Sequence, residues 1–375
     1  MNTKSRLSTL FITGVLLVHL TIPASEPPTA QSDEKPASTS KPVKVFILLG
    51  QSNMLGMGKI KGEEGSLEYA VKQKKKYPYL VDEAGNWVER KDVRYVRVMQ
   101  GRGGSGMQVI NNEWLTVSKC KTIGPEFGIA RYVGDFFEEP VMLLKSCIGN
   151  RSLGWDLLPP GSERFIAEVT EKDGKTVKKV FAGYKDRPDS WIMDPDKGTA
   201  TEPPPWLDKN GKPIEWYAGK QYDDDVANAK KALSELDKYF PGAKRYEIVG
   251  FFFWQGDKDR YNPVHAARYE QNLVRLIKQL RKDFNAPNAK FVLATLGQTK
   301  KGDGGNDGKI LEAQLAVDGN SGKYPEFKGN VATVYSNPLS HGGASNNHYN
   351  GNAETYMDIG EAMGKAMVEL LKSRN

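Results

Sequence analysis

Ser52 lies in Lys44-Val-Phe-Ile-Leu-Leu-Gly-Gln-Ser-Asn-Met-Leu-Gly56, directly after an apolar run of strand length. A serine hydroxyl is a weak nucleophile until a neighbouring base takes its proton. The chain has four histidines, so the candidate bases can be weighed one by one. His19 falls in the N-terminal apolar run, and His265 in the first turn of an expected helix, where it reads as exposed. His341 and His348 share the stretch Ser340-His-Gly-Gly-Ala-Ser-Asn-Asn-His-Tyr-Asn-Gly351, and either could take the proton. A third polar cluster, Trp254-Gln-Gly-Asp257, follows the apolar Phe251-Phe-Phe253. Each cluster alone also fits a plain structural part, since Ser and Asn are favoured helix caps. What favours chemistry is convergence: hydroxyl, imidazole, amide and carboxylate all fall just past expected strand ends.

The elements that must position them follow one alternation. Apolar runs of strand length occur at Val43–Leu49, Val141–Ser146, Tyr246–Trp254, Phe291–Leu296 and Val331–Tyr335. Helical stretches are expected at Pro125–Phe137, Asp223–Tyr239, Pro263–Phe284, Lys309–Val317 and Ala353–Lys372. In the third of these, Leu273, Leu276, Ile277 and Leu280 mark one helical face, and Pro263 suits a first-turn position. Strands alternating with helices of this length predict an α/β fold, a mostly parallel sheet covered on both faces. In such a sheet ligands gather outside the carboxyl ends of the strands, which is where Ser52 falls. The exception is an irregular insertion at about 185–222, with Trp191, Trp206 and Trp216 and the run Pro203-Pro204-Pro205. Its tryptophans predict an ordered wall of a binding cleft, because disordered segments are poor in aromatics.

Lys4 and Arg6 precede an apolar run and the small residues Ala24 and Ser25, the order of a secretory signal over residues 1–25. Residues 26–42 are rich in Pro, Ser, Thr and charge and read as a disordered leader, with the folded body at 43–375. This predicts a secreted or periplasmic protein with no stable membrane span once the signal is removed. The net charge of +7 drops to about +5 without Lys4 and Arg6. The remaining lysines are scattered apart from Lys72-Gln-Lys-Lys-Lys-Tyr77, with no basic stripe interleaved with aromatics, so nucleic acid is not an expected partner. Two cysteines, Cys120 and Cys147, exclude a disulfide-dense scaffold and leave open one bridge or two buried thiols.

Taken together, Gly50-Gln-Ser-Asn53, Ile123-Gly-Pro-Glu-Phe127, Ile148-Gly-Asn-Arg-Ser152 followed by Trp155, Trp254-Gln-Gly-Asp257 and the late His348 resemble the sialic-acid-specific acetylesterase group. That group is related to carbohydrate esterase family six of the SGNH hydrolases. The resemblance covers about Val43 to Lys372 and implies a three-layer, flavodoxin-like sandwich. It implies a secreted serine carbohydrate O-acetylesterase, acting on sialic acid or on plant or algal polysaccharide. Ser52 matches the nucleophile and His348 the base. Gly149 and Gln255, with the Ser52 N–H, match the oxyanion hole, and Gln51, Asn53, Asn150, Arg151 and Trp155 are the expected substrate contacts. The sequence departs from the pattern at Ser345, where many relatives carry an Asp three residues before the histidine. The expected histidine-orienting acid is then Asp257, after the Gln-Gly pair, with Asp259 or an unassisted Ser–His pair as the alternatives.

The spacing Gly101-Arg-Gly-Gly-Ser-Gly106 fits a dinucleotide loop, but Met107–Trp114 lacks helical periodicity, so a flexible loop near the cleft is expected instead. No G-x-S-x-G elbow is present. The histidines and cysteines lack metal-ligand spacing, so neither metal nor cofactor is expected. Two rivals remain: a carbohydrate-binding protein without turnover, motivated by Ser345, and a lipase-like acylhydrolase of the same superfamily. Oligomeric state is not legible.

Overall fold

The computed structural model describes residues 40–101 and 105–373. The expected signal, most of the expected leader and the centre of the glycine-rich 101–106 stretch lie outside the described residues.

The first strand, β1 (Val43–Gly50), is buried along nearly its whole length, and its side chains alternate between two cores. Val45, Ile47 and Leu49 enter one, Phe46 and Leu48 the other. It leads into the short helix α1 (Ser52–Leu55). The paired segments β2 (Gly58–Lys59) and β5 (Thr122–Ile123) flank helix α2 (Leu67–Lys72) and the hairpin of β3 (Arg90–Gln100) and β4 (Met107–Leu115). Helix α3 (Glu126–Phe136) and strand β6 (Val141–Ser146) follow. A three-stranded antiparallel sheet comes next, β7 (Phe165–Thr170), β8 (Thr176–Phe181) and β9 (Ser190–Ile192). The chain then alternates as α4 (Lys220–Ser234), β10 (Tyr246–Trp254), α5 (Pro263–Asp283), β11 (Lys290–Ala294), α6 (Gly305–Ala316), β12 (Val331–Val334) and α7 (Ala353–Lys372).

Among the described residues the main sheet has seven strands in the order β12-β11-β10-β1-β6-β3-β4. Every pairing is parallel except β3 with β4 at the edge. Helices α4, α5 and α6 cover one face, and α2, α3 and α7 the other. The expected three-layer α/β class is borne out. After β6 the chain crosses β1 and continues on its far side with β10, so the carboxyl ends of β6, β1 and β10 bracket the switch point where such sheets bind ligands.

Residues 107–115, which lack helical periodicity, form an edge strand antiparallel to β3, with register shifts after Arg90 and Arg97. The excursion expected at 185–222 begins earlier, with the β7–β8 hairpin, whose turn carries Asp173-Gly174. Its tryptophans mostly form a small core of their own: Trp191 is buried with Trp155, Leu158, Val180, Ala182 and Ala218, while Trp206 and Trp216 pack on it half-buried. Both cysteines are free thiols, and burial pushes each up to about 12. No described helix is long and apolar enough to cross a membrane.

His265 also differs from expectation. It is buried, because the small sheet packs across the first turn of α5 and Phe181 meets the imidazole edge-on. Its Nε2 lies 3.0 Å from Asp189 Oδ1. Burial opposes the imidazolium, but the hydrogen bond and charge of Asp189, aided by Asp259 and Asp156, outweigh it and raise His265 above the usual value of 6.5. A histidine with a raised folded value stabilises fully below its unfolded value of about 6.5 and loses that contribution as pH rises through the folded value. Thermal unfolding across this range should find Asp189→Asn least stable relative to the wild type at the acidic end, the gap closing as pH rises.

Candidate active site

Gly50 ends β1 where only glycine fits: its φ is +145°, and a Cβ there would sit 2.3 Å from the Trp254 carbonyl oxygen. This close approach aligns the ends of β1 and β10, which pair Gly50 with Trp254. The chain turns at once into α1, so Ser52 stands at a helix N-terminus, where the first N–H groups have no intrahelical acceptor. Ser52 is 8% exposed, and its hydroxyl makes no hydrogen bond to a described residue.

Below the serine lies a buried ion pair. Lys145, on β6, is 0% exposed and its Nζ is 2.7 Å from Glu126 Oε2. The same ammonium donates to the Leu55 carbonyl at 3.2 Å, and Glu126 Oε1 accepts the Gly124 N–H at 3.0 Å. Lys145 and Glu126 thereby tie the last carbonyl of α1 to α3. Glu126 lies in the Ile123–Phe127 motif, whose residue types do not reveal its buried partner. The available signal was a lysine inside the apolar Val141-Met-Leu-Leu-Lys145.

Gly149 follows β6 and comes close to the serine: a Cβ on it would lie 3.6 Å from Ser52 Cβ. Asn150 is exposed in a left-handed conformation, φ +57°. The Arg151 guanidinium lies 4.4 Å over the Trp216 ring and 3.6 Å from Asp156 Oδ1. Trp155 is largely buried in the small core, edge-to-face with Trp206. Trp216 is thus the aromatic neighbour of Arg151, where the sequence pointed to Trp155.

Three expected contacts turn inward. Gln51 is buried, and its Oε1 faces Gln255 Nε2 at 3.2 Å, Gly256 N at 3.4 Å and Lys258 N at 3.3 Å. Asn53 is fully buried, its Nδ2 reaching Tyr349 Oη at 3.5 Å. Gln255 is fully buried too, with Nε2 donating to Gln51 Oε1, to the Arg151 carbonyl at 2.9 Å and to Asp259 Oδ2 at 2.6 Å. Its Oε1 accepts from Tyr269 at 2.8 Å. An amide with two hydrogens and three acceptors has no donor left over for an oxyanion. The cause is Asp259, whose buried carboxylate needs donors and also takes the N–H groups of Leu153 and Gly154 at 2.8 and 2.7 Å. Asp259 is thereby held to the turn after β6 and to Gln255, with no hydrogen bond to His341 or His348.

The two candidate histidines separate. His341 is exposed and its Nε2 is 3.6 Å from Asp358 on α7, beside Lys76. His348 is half-buried in the segment Ser345–Gly351, which packs against α1. Its ring makes no hydrogen bond to a described residue. His348, Tyr349 and Asn350 have φ of +50°, +53° and +53°, a left-handed run costing roughly 1–2 kcal/mol per residue. Tyr349 anchors this run: it is fully buried, stacks on Trp254 at 5.9 Å, and its hydroxyl accepts the Gly297 N–H at 3.2 Å. Asp257 reaches the same segment through Ser345, whose Oγ donates to Asp257 Oδ1 at 2.6 Å. The triad candidates thus converge on one end of the sheet without hydrogen-bonding one another. Catalytic hydrogen bonds commonly close only with substrate bound.

Residues 207–369 match the family model for carbohydrate esterase, sialic acid-specific acetylesterase. The resemblance to the sialic acid-specific acetylesterases is thereby borne out over residues 207–369. Gln255, Asp257 and His348 fall inside the matched stretch, Ser52 and Gly149 before it. The match supports an esterase acting on acetylated sugars. Similar solved structures include a protein from Arabidopsis thaliana, at 16% identity and TM-score 0.45, covering 88% of this chain and 98% of that one. A carbohydrate acetylesterase from Xanthomonas citri is 12% identical at TM-score 0.45, covering 86% of this chain and 55% of its own. NanS is 11% identical at TM-score 0.46, covering 89% and 98%. No curated protein matches the chain.

Proposed function

We propose that this chain is an exported serine O-acetylesterase that removes acetyl groups from sugars through an acyl-enzyme on Ser52. The observation that carries this reading is the meeting of three adjacent strand ends. Ser52 after β1 lies beside Gly149 after β6, and Asp257 after β10 is tied to the segment that carries His348.

His348 takes the Ser52 proton as Oγ attacks the ester carbonyl, and Asp257 orients the ring. The Ser52 and Gly149 N–H groups hold the tetrahedral oxyanion, each contributing about 3 kcal/mol to transition-state stabilisation. Collapse releases the sugar alcohol protonated by His348. Water activated by the same imidazole then frees acetate and restores Ser52. No step calls for a metal or cofactor.

Asn150 and Arg151 follow Gly149 in the chain, and with Trp216 under the Arg151 guanidinium they supply hydrogen-bonding and stacking surface, chemistry suited to a polyol. Trp216→Ala should raise KM for an acetylated sugar roughly tenfold, about 1.4 kcal/mol, and leave turnover of a small aryl acetate near wild type. The test of the function is acetate release by the mature chain from acetylated sugars beside aryl esters of short and long acids. Release confined to short acyl chains supports the acetylesterase. Preference for long chains would favour the lipase-like rival, and no turnover on any ester the binding protein.

A further inference from the structure

Asp257 meets the histidine segment through one oxygen. Its Oδ1 accepts the Ser345 hydroxyl at 2.6 Å and lies 3.0 Å from Arg260 Nε, whereas Oδ2 makes no hydrogen bond to a described residue. Both side chains are buried. The tie belongs to a closed circuit. Arg260 Nη1 donates to Asp307 Oδ2 at 3.0 Å, Gln298 Nε2 reaches the same oxygen at 3.4 Å, and Gln298 Oε1 accepts the Ser345 N–H at 3.2 Å. Ser345 is therefore held at its backbone and its hydroxyl at once, and Arg260 sits between two carboxylates.

Resting on the proposed Ser52–His348 reading, we propose that Ser345 is the positioning residue of the acid–histidine pair. It fixes Asp257 by Oδ1 and so aims Oδ2 at the imidazole three residues further on. A hydroxyl suits this role because it donates one short, charge-assisted bond to a carboxylate and brings no charge of its own. A second carboxylate at 345 would face Asp257 at hydrogen-bonding distance, and the like charges would push one value up or the side chains apart. The acid is therefore present once, carried by the β10 end, with Ser345 as its fastening. A carboxylate moved to 345 should take over when the one at 257 is removed.

The experiment is steady-state hydrolysis of an aryl acetate by the wild type, Ser345→Ala, Ser345→Thr, Asp257→Asn, the double variant Asp257→Asn/Ser345→Asp, and Ser52→Ala. Ser345→Ala should lose roughly 10–100-fold in kcat with KM within about twofold, Ser345→Thr should recover most of it, and the double variant should exceed Asp257→Asn by roughly tenfold or more. Wild-type kcat in Ser345→Ala, equal losses in the Ala and Thr variants, or a double variant no better than Asp257→Asn overturns the proposal. Ser52→Ala separates it from the underlying reading. Full activity there overturns both, whereas loss there beside an unaffected Ser345→Ala overturns this proposal alone.

Discussion

Replacing Ser52 by alanine is expected to lower kcat for ester hydrolysis by roughly 10⁴–10⁶-fold, the scale at which a triad loses its nucleophile. The argument rests on position as much as residue type. Ser52 follows a strand end fixed by the Gly50–Trp254 contact, and the last carbonyl of its helix is held by Lys145. Its hydroxyl bonds to no described residue, so its removal takes no described contact from the fold, and stability should stay within about 0.5 kcal/mol of wild type. Loss of rate with retained unfolding midpoint is therefore the expected pair of results. His348→Ala should fall by a comparable factor, since the two residues act as a unit and their losses do not add.

The largest effect on stability is expected at Glu126. Lys145 has no access to solvent and Glu126 is its carboxylate partner at 2.7 Å. Glu126→Ala would leave a buried ammonium with the Leu55 carbonyl and the Tyr95 ring but no carboxylate, at a cost of roughly 3–5 kcal/mol. Removing both charges is a different matter, because a buried pair returns little beyond its own desolvation cost. Glu126→Leu/Lys145→Met should thus be much closer to wild type than Glu126→Ala. Urea unfolding midpoints at unchanged slope measure both differences. If Glu126→Ala and the double variant unfold together, the charge pair is not what decides stability at this site.

The strands that carry the site were legible because they are buried on both faces. Val43–Leu49, Val141–Ser146 and Tyr246–Trp254 read as continuous apolar runs, and the structure ends them within a residue of those limits. The β7–β8 hairpin was missed because Glu168, Glu171, Lys172, Lys175, Lys178 and Lys179 dilute its apolar alternation, although Asp173-Gly174 marked the turn. His265 read as exposed because a first helical turn usually is; a sheet arriving from elsewhere in the chain buries it. Gln255 was placed correctly at a strand end, but only the fold reveals that buried Asp259 takes up its amide. Ser345 registered in the sequence as an absence. Its hydroxyl became informative only once Asp257, 88 residues away, was found against it.

The most direct test of the central claim is to quench the wild-type chain with acid during turnover of an aryl acetate and map the acetyl group by peptide mass. One acetyl on the peptide that carries Ser52, missing from Ser52→Ala, is the predicted result. Turnover with no acetylated serine, or with the acetyl on a different residue, would contradict the acyl-enzyme account.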